Sequence, residues 1–101
     1  MKVNVQSVNF NVDQKLVSFT NEKLNKLEGH FNKIISAEVF MKVQNTSAKE
    51  NKITEILLNI PGGEFVAKKT YKTFEQGVDQ CLNSLERQLV KFKDKQKMRL
   101  V

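Results

Sequence analysis

The stretch from Thr73 to Phe92, TFEQGVDQCLNSLERQLVKF, constrains the chain more than any other. Val78, Cys81, Leu82, Leu85, Leu89 and Phe92 recur at spacings of three and four. On a helix, which turns by about 100° per residue, they occupy an arc roughly as wide. Arg87 and Lys91 run in steps of four on the opposite arc, continued by Lys95 and Arg99. Such a helix needs a second layer against its apolar side. Thr73 followed three residues later by Gln76 is a capping box and marks its start. Gln96 interrupts the apolar stripe, so the helix is expected to project or fray beyond Lys95. Residues 96–101 are then a frayed basic tail.

The second layer is legible upstream. KVNVQS alternates at Val3 and Val5 and reads as a strand. Asn11 and Asp13 offer helix caps, and Leu16, Phe19, Leu24 and Leu27 follow at helical spacing. Gly29 is the expected helix stop, through its tolerance of positive φ. IISAEVFMKVQ alternates again, with Ile35, Ala37, Val39, Met41 and Val43 on one face and Phe40 and Lys42 on the other. NTSAKEN is a polar loop. KITEILLNI is a strand with Ile56, Leu58 and Ile60 in phase. PGG is a turn, and EFVAKKTY completes a hairpin. The order is β-α-β-β-β-α. Its opening crossover makes the first two strands parallel. The expected fold is α+β: one domain over residues 1–101, a four-stranded mixed sheet with two helices packed on one face. The other face, with Phe40 and Lys42, is left more exposed.

Charge placement narrows the function. The 101-residue chain carries a net charge of +6. From Arg87 to Val101 there are six bases against one acid, Asp94. A surplus this local suggests a polyanionic partner, with a solvated basic tail as the plain alternative. No apolar run approaches the roughly 18 residues a membrane helix needs, and the N-terminus shows no signal-like apolar block. Cys81 is the single cysteine. The expected compartment is the cytoplasm.

Catalytic chemistry finds little support. His30, the one histidine, sits beside a helix-stop glycine and reads as a surface or packing residue. One His and one Cys cannot close a zinc site. Cys81 lies on the apolar arc, where an inert thiol is expected. PGGE matches no phosphate-binding glycine pattern. Lys23 is more informative, since it falls within the apolar arc of the first helix. It is either a stem that snorkels to water or a fixed cation bordering a binding surface. Lys15 and Lys26 flank the same side. Lys68, Lys69 and Lys72 form a further basic group near the end of the fourth strand. They either solubilise an edge or bind.

Three stretches together, KLNKLEGHFNKIISAEVFM, VAKKTYKTFEQGVDQCL and LERQLVKFKDK, resemble the ribosome hibernation promoting factor and ribosome-associated inhibitor A family. The Lys-Leu-x-Lys-Leu ending of the first helix, Asp79, and the Leu-x-Arg-Gln-Leu-x-Lys-x-Lys ending carry the likeness across nearly the whole chain. The resemblance implies the same β-α-β-β-β-α fold. It implies a translation inhibitor seated in the mRNA and tRNA channel of the small ribosomal subunit in stressed or stationary cells. Carried over by position, it implicates Lys23 and Lys26 in the first helix and Arg87, Lys91, Lys93 and Lys95 in the last as rRNA contacts. Lys68 and Lys72 are placed by the strand match alone.

Two departures stand out. Gly77 replaces a small helix-favouring residue. The sequence also stops at Val101, so it resembles the short form rather than members whose further C-terminal domain pairs ribosomes. The expected partner is the small subunit and its rRNA. No cofactor, metal, membrane or small-molecule substrate is expected, and the protein should be monomeric off the ribosome. Two rival readings remain: a general double-stranded RNA-binding module, and a protein-interaction domain using the open sheet face around Phe40.

Overall fold

The computed structural model describes the backbone of residues 1–99 and the side chains of residues 1–94. The elements follow in the order β1 (Lys2–Val8), α1 (Gln14–His30), β2 (Ser36–Val43), β3 (Lys52–Ile60), β4 (Gly63–Tyr71) and α2 (Phe74–Arg99). The strands form one sheet in the order β1-β2-β3-β4. β1 and β2 are parallel, and the two remaining pairs are antiparallel. This is the expected mixed sheet.

Each strand alternates, so the sheet has a dry side and a wet side. Ala37, Val39 and Met41 of β2 and Thr54, Ile56 and Leu58 of β3 are fully buried beneath the helices. They join Leu24 and Leu27 of α1 and Val78, Cys81, Leu82, Leu85 and Leu89 of α2 in a single core. Phe40 shares the opposite side with its cross-strand neighbours Gln6 and Glu55, and is half-buried among them.

Local chemistry fixes the boundaries. The Leu16 N–H donates to Asp13 Oδ1 at 2.7 Å, capping α1. The Gln76 N–H donates to Thr73 Oγ1 at 3.2 Å, so half of the expected capping box starts α2. Pro61 and Gly62 make the β3–β4 turn, with Gly62 at φ +87°, the value a type II turn requires of its third residue. The rings of Phe10 and Phe74 stack at 4.7 Å, tying the link before α1 to the first turn of α2.

Two expectations fail. Gly29 does not end α1. It has no positive φ, and the helix runs to His30, where the Phe31 N–H closes the last turn on the Leu27 carbonyl at 3.0 Å. Ile35 is not a core residue. β2 begins one residue later, so Ile34 takes the inward position and Ile35 is 58% exposed. The helical backbone reaches Arg99, and the side chains of the expected tail, residues 96–101, lie outside the described residues. Leu100 and Val101 lie outside the described residues.

Gly77 has a structural reason that helix propensity hides. A Cβ at this position would collide with Thr54 Oγ1 and stand 2.9 Å from Thr54 Cβ. Thr54 is fully buried, and among the described residues its hydroxyl makes no hydrogen bond. The helix backbone therefore rests directly on β3. Gly77→Ala should destabilise the fold. Overpacking a fitted site costs about 1–3 kcal/mol, more than offsetting the gain of about 1 kcal/mol in helix propensity. A lower midpoint in urea denaturation with an unchanged slope is the expected result.

Candidate nucleic-acid interface

The apolar arc of α2 faces the sheet, so its opposite arc faces solvent. Arg87 and Lys91 are exposed there and flank a shallow hollow with Asn83, Glu86 and Val90. Among the described residues no carboxylate lies within ion-pairing distance of either. These two cations are presented to solvent by the same rotation of the helix that buries Leu85 and Leu89. The backbone at Lys95 continues the helix, while its side chain lies outside the described residues.

Lys23 takes a mixed position. Its Nζ lies 3.4 Å from Asp79 Oδ1 of α2 and 5.4 Å from the centre of the Phe19 ring. The stem packs along the helix, and the ammonium bridges the two helices. Both partners are more than a third exposed, so water screens the pair and its contribution is small. Lys26 and His30 line the same groove from α1, opposite Asn83 and Glu86 of α2. This groove therefore mixes signs, whereas the exposed arc around Arg87 and Lys91 is richer in positive charge.

The remaining candidates separate. Lys93 lies over the Phe31 ring, with its Nζ 5.1 Å from the ring centre. Lys68 is exposed on the open side of the sheet, in register with Glu55. It is not brought together with the helix cations. Lys72 is exposed in the link between β4 and α2. Lys69 points to the helix side and lies close enough to Cys81 to act on its charge.

Asp79, opposite Lys23, and Phe31 with Lys33, beside Lys93, carry parts of this surface that periodicity did not reveal. Asp79 sits on α2 at the edge of the apolar arc, and its partner is distant in sequence. Residues 31–34 lie between regular elements, where no periodic signal exists.

Cys81 is fully buried, and its thiol contacts the carbonyls of Thr54 and Ala67 at 3.4 and 3.5 Å. Burial pushes its pKa up from 9.0 to about 11, against a smaller opposing effect of Lys69. A thiol held protonated in the core is a poor nucleophile.

The arrangement defines a class: a small α+β domain whose helical layer carries exposed cations on its outer side. The chain belongs to the Sigma 54 modulation protein / S30EA ribosomal protein family, whose model matches residues 3–97. A relative in Pseudomonas putida, called ribosome hibernation promoting factor, is 38% identical over 96 residues, covering 95% of this chain and 90% of its own. The protein of that name in Escherichia coli strain K12 is 31% identical over 97 residues, covering 96% and 98%. Among solved structures, a ribosomal subunit interface protein from Coxiella burnetii superposes with a TM-score of 0.82 at 21% identity. That match covers 93% of this chain and 99% of the other. The N-terminal domain of Thermus thermophilus Protein Y gives 0.78 at 19% identity, covering 91% and 99%. These likenesses establish the fold.

Two measurements test the interior and the groove. Between about pH 9 and 11 the unfolded chain releases the Cys81 proton and the folded chain keeps it. This part of the stability is complete below pH 9 and declines as pH rises, by up to about 1.4 kcal/mol per unit. Denaturation across this range should show a steeper decline for the wild type than for Cys81→Ala. Replacing Asp79 with Asn should cost less than about 1 kcal/mol, because the pair it breaks is solvated. A larger loss in urea would show that the groove, and not burial, holds the helices together.

Proposed function

We propose that this protein is a ribosome-associated hibernation factor of the cytoplasm that blocks translation by occupying the mRNA and tRNA channel of the small subunit. The observation that carries this reading is α2: its apolar arc is locked into the core, and Arg87 and Lys91 stand on the other side without internal partners among the described residues. Membership of the family and the names of the relatives support the association with ribosomes.

Mechanism follows from charge and rigidity. Guanidinium and ammonium groups displace counterions from rRNA phosphates and supply affinity without reading sequence. Arg87 can hold a phosphate with two parallel hydrogen bonds, while Lys26, Lys91 and Lys93 act as point charges. Lys95 extends the row in sequence. Lys23 contributes less, since Asp79 already offsets its charge. Lys68 and Lys72 lie away from the α2 row and would touch rRNA only where a channel wraps the domain. Selectivity comes from the shape of folded rRNA. A seated domain excludes messenger and tRNA by volume, with no chemical step.

The test is co-sedimentation with small subunits. Arg87→Glu, Lys91→Glu and Lys95→Glu combined should leave the melting temperature close to wild type and abolish co-sedimentation. Lys68→Glu should weaken it far less. A face making roughly six to ten phosphate contacts should lose about 10³–10⁵ in affinity between 50 and 200 mM salt, by analogy with DNA. Bound messenger and tRNA should compete. Undiminished binding by the triple variant overturns the reading. Equal affinity for a plain RNA duplex would favour a general double-stranded RNA module instead.

A further inference from the structure

The link between α1 and β2, the end of β3 with the turn that follows it, and the last packed turns of α2 line a cavity of about 400 Å³. Buried Ile34 and Leu89 give it an apolar floor, and Phe31 and Phe92 add aromatic walls. Lys33 and Lys93 also line it, and no acidic residue does so among the described residues. The groove between the helices differs, since Lys23 and Lys26 there meet Asp79 and Glu86.

We infer that this cavity receives one unstacked nucleotide, its base on the Phe31 ring and its phosphate between Lys33 and Lys93. Phosphate contact alone needs only cations in water. A concave site that adds π faces beside unopposed ammonium groups suits a ligand both aromatic and anionic.

Both rings are held before any ligand arrives. The Phe31 side chain packs against the core, and its backbone N–H donates to the Leu27 carbonyl at 3.0 Å. Phe92 is braced edge-on by Phe65, with centroids 5.4 Å apart and planes at 73°. Little ordering is therefore needed on binding. In the free protein the Lys93 ammonium rests near the Phe31 face, 5.1 Å from its centre. An exposed cation–π contact is weaker than stacking of a base on an aromatic ring. An incoming base displaces Lys93, and the freed ammonium meets the phosphate. Asn32, beside Lys33, offers an amide donor and acceptor to the base edge.

This site deepens the reading of the molecule as an RNA-binding domain, on which it rests for the source of the nucleotide. It adds single-strand capture to a phosphate-directed face. The same chemistry fits a free mononucleotide or one nucleotide of a strand.

The test is an isotope-labelled full chain titrated at low salt with AMP, with a short single-stranded oligoadenylate and with an RNA duplex. Saturable amide shifts at Phe31, Asn32, Lys33 and Lys93 with AMP or the single strand support the site. AMP alone identifies a free nucleotide, and the oligonucleotide alone a strand. Phe31→Leu and Lys33→Gln should each weaken binding by about tenfold with the fold intact. Lys33 is exposed, so its variant carries the test if loss of the ring disturbs packing. Shifts confined to Arg87 and Lys91, equal cavity shifts with duplex, or unchanged affinity in both variants overturn it. Co-sedimentation with ribosomes without cavity shifts overturns this site and leaves the ribosome reading standing. Cavity shifts without co-sedimentation do the reverse.

Discussion

At Gly77 the backbone of α2 comes so close to β3 that Thr54 fills the space where a larger residue would place its Cβ. That contact limits how closely the longest helix can sit on the sheet. Five α2 side chains then enter the core in succession, from Val78 to Leu89. Their burial is worth on the order of 10 kcal/mol gross, at roughly 1.5–3 kcal/mol for each large side chain. The solvated ion pair between Lys23 and Asp79 contributes at most about 1 kcal/mol. Burial therefore decides which way α2 faces, and the exposure of Arg87 and Lys91 is its consequence. The cations need no device of their own to point outward.

Charge is sorted by the same geometry. Where α1 and α2 approach each other, the bases Lys23 and Lys26 of α1 face the acids Asp79 and Glu86 of α2, and the helices sit together without strong repulsion. Farther along α2, Arg87, Lys91 and Lys93 meet no partner carboxylate among the described residues. On the open side of the sheet, Lys68 sits opposite Glu55, which leaves no net surplus at that position. The protein thus concentrates unpaired positive charge on part of one helix.

Much of this was legible in the chain itself. Period-two and period-3.6 patterns located all six elements, and their order determined the parallel first pair. The errors fell where local signals compete with packing. Gly29 looks like a stop, but a glycine can remain helical, and α1 continues until Phe31 closes the turn. Ile35 and Ile34 are equivalent by composition, and only the strand's starting point chooses between them. Gly77 looks like a weakness in a helix until Thr54 is seen beneath it. Phe31, Lys33 and Lys93 come from different segments that no spacing rule relates.

The family resemblance, the fold class and the two-sided character of the last helix follow from the sequence alone, because periodic burial is written residue by residue. The tertiary structure decided which cations act together. Pairing across the sheet sent Lys68 to the far side, and helix–helix contact brought Asp79 against Lys23. The chain's return placed Phe31 and Lys33 beside Phe92 and Lys93. Those outcomes depend on long-range closure of the chain, and proximity in space between distant residues leaves no periodic trace in a single sequence.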